Sequence, residues 1–90
     1  MSGNDRRIGE IERLLREAAE LRRRGDYRGS AGRSRAARRM DGARDPLLRC
    51  RVALEAARGA YGLSRFDECR GEIEKIRSHL DQVDGPERRR

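Results

Sequence analysis

The chain has no Trp and no Thr, and it carries one Phe, two Tyr and one His. β-Branched residues are limited to four Ile and two Val, so there is little from which to build a sheet. Two cysteines, Cys50 and Cys69, are too few for a disulfide-stapled scaffold. A reducing, cytoplasmic setting is therefore expected. No run approaches the roughly 20 apolar residues of a membrane span, and Met1 to Glu10 is too polar for a signal peptide. Leu, Ile, Val and Phe together number 15 of the 90 residues, so any core is thin. These shortages exclude a two-domain enzyme, a deep cofactor pocket and a membrane protein.

Charge is abundant. There are 22 Arg, a single Lys and 16 acidic residues, for a net charge of +7. The excess is localised: between Arg22 and Arg44 lie nine Arg and two Asp, while the rest of the chain is nearly balanced. Arginine suits phosphate and carboxylate recognition through its planar fork. A solvated basic face is the alternative use of the same residues.

Helical periodicity runs through four segments. The first spans about Asp5 to Arg24, with Ile8, Ile11, Leu15 and Ala18 on one stripe and Leu14 and Leu21 widening it. Ser2 with Asp5 reads as a capping box, and Gly25 ends the segment after a basic last turn. The second, about Tyr27 to Met40, follows Asp26 as a cap and has a weak apolar face. The third starts at Asp45-Pro46, a capping carboxylate followed by Pro at the first helical position, and runs to about Gly62. It is apolar on more than one side, so it is expected at the centre of the fold. The fourth, Arg65 to about Val83, has Ser64 and Asp67 as a capping box. Its residues Phe66, Cys69, Ile73, Ile76, Leu80 and Val83 form a heptad seam. That seam either packs on the third helix or pairs with another chain, and packing within the chain is expected. The expectation is thus an all-α domain over residues 1–84, with a first hairpin at 5–40, a second at 46–83 and a basic tail at 85–90.

The two hairpins echo each other at an offset of 39 residues. Gly25-Asp26-Tyr27 aligns with Ser64-Arg65-Phe66, Ser30 with Cys69, and Ala18 with Ala57. The segment ALEAARGAYGLSRFDECRGEIEKI, with Ala57, Tyr61, Leu63, Phe66 and Cys69, resembles the tetratricopeptide repeat, a helix-turn-helix unit of about 34 residues. Ala18, Leu21, Gly25 to Tyr27, Ser30 and Ala37 carry the resemblance in the first unit. Ser34 and Glu17 depart from it, standing where the family has bulky apolar residues. The resemblance implies two stacked hairpins and a peptide groove. Carried over position by position, the groove is lined by Leu15, Ala19, Arg22 and Arg23 in the first unit and by Arg51, Leu54, Arg58 and Tyr61 in the second. The asparagines with which family members clamp a carboxylate are replaced by Ala19 and Arg58. Two repeats are fewer than the three that usually make a stable solenoid, so a partner or a dimer is implied.

No catalytic constellation emerges. His79 stands alone beside the seam, and no second ligand set for a metal accompanies it. Cys50, between Arg49 and Arg51, has a lowered pKa if exposed, but no base lies near in sequence. Glu72 and Glu74, with Lys75 and Arg77, read as a solvated, charge-balanced face. No phosphate-binding loop occurs. A non-enzyme without cofactor or metal is expected. Three functions remain open: an interaction module with a basic groove for an acidic or extended peptide; a nonspecific nucleic-acid binder using Arg28, Arg33, Arg35, Arg38 and Arg39; and a homo-oligomer joined through the fourth-helix seam.

Overall fold

The computed structural model describes residues 3–40 and 45–84. Four helices form: α1 (Gly3–Arg23), α2 (Tyr27–Met40), α3 (Pro46–Gly62) and α4 (Phe66–Asp84). No strand occurs among the described residues. The architecture is all-α, two antiparallel hairpins stacked so that α3 lies against α1, α2 and α4, whereas the backbone of α4 comes close to α3 alone and meets α2 through a side-chain ion pair, Arg38–Glu72. The expected cap at Ser2, the turn at 41–44 and the tail at 85–90 lie outside the described residues.

The core follows from the spacing. Ile11, Leu14 and Leu15 of α1 meet Ala37 of α2 and Leu48 and Val52 of α3, with Ala36 and Met40 packed against them. The 3- and 4-residue steps place all three α1 residues on one face. The other buried apolar residues of α3 are Ala53, Ala57 and Ala60, and no described side chain of α4 is fully buried. Alanines bury little area, so α4 contributes little buried apolar surface to the core.

Capping chemistry sets the helix ends. The Asp26 carboxylate accepts from the Gly29 N–H at 2.9 Å. Asp45 accepts from the Leu47 N–H at 3.0 Å, with Pro46 in the first turn. The two hairpin turns share one backbone pattern, displaced by 39 positions. Asp26 N–H donates to Leu21 O at 2.8 Å, as Arg65 N–H does to Ala60 O. Gly25 N–H donates to Arg22 O at 3.0 Å, as Ser64 N–H does to Tyr61 O. This is the left-handed close of a helix, and Gly25 (φ 86°) and Ser64 (φ 60°) occupy its left-handed position. The capping box expected at Ser64 is therefore corrected: Ser64 ends α3, and Arg65 O accepts the Cys69 N–H that begins α4.

Close approach fastens the hairpins together. A Cβ on Gly62 would collide with the Tyr27 ring, which lies across this glycine. At Gly59 a Cβ would sit 3.7 Å from Ala31, an ordinary contact. The Ser30 and Ser34 side chains are buried in α2, and their hydroxyls have no hydrogen-bond partner among the described residues.

Candidate functional site

An open groove of about 430 Å³ runs where α3 and α4 meet the end of the first hairpin. Its apolar surface comes from Leu54, Ala57 and Tyr61 of α3 and from Cys69 and Ile73 of α4. Arg22, Tyr27 and Arg58 close one side. The Tyr61 and Phe66 rings meet edge to face at its end, with centroids 5.6 Å apart and an interplanar angle of 67°.

The groove's charge is organised by Glu55, which is buried. Its Oε1 accepts from Arg58 at 3.0 Å, and its Oε2 lies 3.7 Å from Arg22 Nε, beyond hydrogen-bond length. One carboxylate thus steadies two guanidinium groups, and the cluster keeps a net positive charge facing the opening. Each guanidinium has N–H donors left over for a ligand carboxylate.

Of the eight groove residues expected from the sequence, Arg22, Leu54, Arg58 and Tyr61 come together here. Leu15 does not: it is buried in the core under α3. Ala19 and Arg23 line a separate, strongly charged depression along α1, together with Arg13, Glu20 and Arg33. Arg51 reaches across to α1 and donates to Glu12 at 3.1 Å. Glu55, Tyr27, Cys69 and Ile73 were not anticipated as groove residues. For Glu55 the available signal was its three-residue spacing from Arg58; its contact with Arg22 depends on how α1 and α3 cross.

The five arginines expected to track phosphates divide. Arg33 donates to Glu17 of α1 at 2.9 Å, and Arg38 forms a bidentate pair with Glu72 of α4. Both are structural struts between helices. Arg28, Arg35 and Arg39 are exposed and, at steps of seven and four, share one face of α2. Glu72 is correspondingly not part of a solvated face. Burial pushes its pKa up, but the Arg38 fork, helped by Lys75, more than offsets this and holds the carboxyl below its ordinary value.

The two cysteines are not paired with each other, and both are half-buried. Cys50 Sγ points at Ile76 O, 3.8 Å away. Burial raises its pKa, the reverse of the lowering that Arg49 and Arg51 would cause at an exposed site. Among the described residues no group of three or more His, Cys, Asp or Glu is placed to hold a metal. No described helix is long and apolar enough to cross a membrane. Comparison with protein-family models, curated proteins and solved structures found no match to this chain.

Proposed function

We propose that this chain is a non-catalytic interaction module, of tetratricopeptide-like type, whose groove binds an acidic peptide segment of a protein partner. The observation that carries this reading is the joining of an apolar floor, Leu54, Tyr61 and Ile73, to a wall of two guanidinium groups that Glu55 steadies from behind. Apolar side chains of a ligand are desolvated on the floor, while its carboxylates meet arginine forks. Preorganised arginines lose less side-chain freedom on binding than free ones do.

The test is selection from a displayed library of random 20-residue peptides, run on the whole chain and on Arg58→Glu. Sequences enriched in Asp and Glu beside Leu, Ile or Phe are expected. They should lose binding to the variant while its helical circular dichroism stays unchanged. Absence of enrichment, or retention by Arg58→Glu, overturns the reading.

The three exposed arginines on one face of α2 favour a second reading, contact with a nucleic-acid backbone. Three phosphate contacts set the size of the effect, a log–log salt slope of about −2.7 on duplex DNA. A slope near zero, or no binding at low salt, removes this reading.

A further inference from the structure

Charge divides the molecule between its hairpins. Residues 3–40 hold twelve arginines against six acidic residues, a net of +6. Residues 45–84 hold seven basic residues against eight acidic ones, a net of −1. A polyanion approaching this chain is therefore steered to the first hairpin.

Two basic surfaces lie there. Along α1 runs an open depression of about 690 Å³, lined by Arg13, Arg16, Arg23 and Arg24 of α1 and by Arg33 of α2. Its two carboxylates are already engaged: Glu17 pairs with Arg13 and Arg33, and Glu20 with Arg23. Arg16 and Arg24 are exposed and have no ion-pair partner among the described residues. Five guanidinium groups against two carboxylates leave the depression a net of +3. The outer face of α2 adds Arg28, Arg35 and Arg39, likewise exposed and without an ion-pair partner among the described residues. The helix that carries them contains no Asp or Glu. Asp26 precedes it, and its carboxylate is held by the Gly29 N–H as a cap. Arg33 stands on α2 and in the depression, so the two surfaces adjoin. Between Arg33 and the other three, α2 presents Gly29, Gly32 and Ala36, and no long side chain rises to separate them.

We propose that the first hairpin docks on the phosphate backbone of a nucleic-acid duplex, with the α1 depression and the outer face of α2 as two parts of one surface. This rests on the nucleic-acid reading of the α2 arginines and adds a second site and the form of the polymer. Of the nine residues that line the depression, seven are charged and the others are Ala19 and Leu21. An acidic peptide therefore finds little floor for its apolar side chains. A single small anion also gains little. Arg16 and Arg24 are about 12 Å apart along α1, and Arg28 and Arg39 about 16 Å apart along α2. Each exposed ion pair contributes little alone, whereas a polymer meets several at once and releases its counterions. The duplex form follows from the aromatics. Proteins hold unpaired strands by stacking bases on aromatic rings. Tyr27 is the only aromatic residue in 3–40, and its ring lies across Gly62. A duplex needs no such platform.

The experiment follows the anisotropy of a labelled 20-base-pair DNA duplex, and of one of its strands alone, with the whole chain between 50 and 200 mM salt. Five unpaired guanidinium groups give a log–log slope of about −4.5, a roughly 500-fold loss of affinity over that range. The α2 face alone gives about −2.7, a roughly 40-fold loss. Arg16→Gln with Arg24→Gln should bring the first value to the second. Arg70→Gln with Arg77→Gln removes the same charge from α4 and should leave the slope unchanged. All four positions are exposed, and helicity checks the folding of each variant. A slope near −2.7 that Arg16→Gln with Arg24→Gln does not alter overturns the α1 site and leaves the α2 reading standing. Equal effects of the two double variants reduce the interaction to net charge and overturn the surface. A single strand bound as tightly as the duplex overturns the duplex form. Poly-glutamate that displaces the duplex at equal charge overturns phosphate as the ligand. Self-association in sedimentation equilibrium that is lost in Arg16→Gln with Arg24→Gln overturns the proposal in favour of a second copy. Absence of binding at 50 mM salt overturns both readings of these arginines.

Discussion

Because α4 rests on α3 through small residues, the Arg38–Glu72 pair is a disproportionate part of its attachment. Arg38→Met keeps the aliphatic stem and removes the fork. Losing one partner of a fully buried pair costs about 3–5 kcal/mol, and an exposed pair contributes about 0.2–1 kcal/mol. The Glu72 side chain is 13% exposed and that of Arg38 is 37% exposed. Lys75 remains 3.6 Å from Glu72 in the variant. A loss of about 1.5–3 kcal/mol follows, between the two limits. The pH dependence has a definite sign. The folded-state pKa of Glu72 lies below its ordinary value, so its contribution is present above the unfolded carboxylate pKa of about 4.3 and disappears as pH falls through the lower folded value. The penalty for Arg38→Met, read from urea denaturation, should therefore be smaller at pH 3 than at pH 7. Hydrogen exchange at pH 7 should show faster opening concentrated in α4. A penalty below about 0.5 kcal/mol, or one equal at both pH values, refutes the argument that this pair holds α4.

Three other outcomes test the packing and the thiol. Gly62→Ala should destabilise by about 1–3 kcal/mol because its methyl meets the Tyr27 ring, whereas Gly59→Ala, with ordinary contact distances, should gain up to about 1 kcal/mol from helix propensity; thermal melts of the two variants should move in opposite directions. Ser64→Gly should raise stability by about 0.5–1 kcal/mol by relieving the left-handed backbone at φ 60°, and a lower Tm would contradict the turn assignment. Cys50, its pKa raised by burial, should alkylate with iodoacetamide at pH 8 at least tenfold more slowly in the folded chain than in urea; equal rates would show that the thiol is not shielded.

Helix positions and the apolar face of α1 were readable from the sequence because they depend on local spacing and end chemistry: Asp45-Pro46 starts α3, Asp26 caps α2, and Ile11, Leu14 and Leu15 all turn inward. What spacing cannot say is which neighbour covers a face. The α4 seam illustrates this. It reads as one stripe, yet Cys69 and Ile76 are half-buried while Phe66, Ile73 and Leu80 remain open. Leu15 and Leu54 occupy matching positions at the 39-residue offset, and only the presence of α3 makes one core and the other groove. Serine favours helix N-caps, which makes Ser64 look like one in the sequence; the Schellman-type bonds of Leu63, Ser64 and Arg65 show that it closes α3 instead. Long-range ion pairs were equally invisible. Arg38–Glu72 spans 34 positions and Arg51–Glu12 spans 39, so both depend on how the hairpins stack.

The two apolar faces also differ in how much binding each can support. Under α3 the first hairpin presents Ser30, Ser34 and Ala37; the matching residues of the second are Cys69, Ile73 and Ile76. An intrachain helix can settle on small residues, because its arrival carries no cost of bringing two molecules together. A separate ligand must overcome about 4–15 kcal/mol of lost translational and rotational freedom, together with side-chain ordering. Fully burying a large apolar side chain contributes about 1.5–3 kcal/mol. The six half-covered side chains of the second hairpin, Leu47, Leu54, Tyr61, Phe66, Ile73 and Leu80, therefore supply on the order of 6 kcal/mol between them. That is comparable with the association cost, so apolar contact alone leaves a ligand loosely held. On the acidic-peptide reading the margin comes from carboxylates meeting Arg22 and Arg58. Affinity for the groove should then rise with the acidity of the ligand and fall with ionic strength, while its apolar residues determine where along the floor it settles.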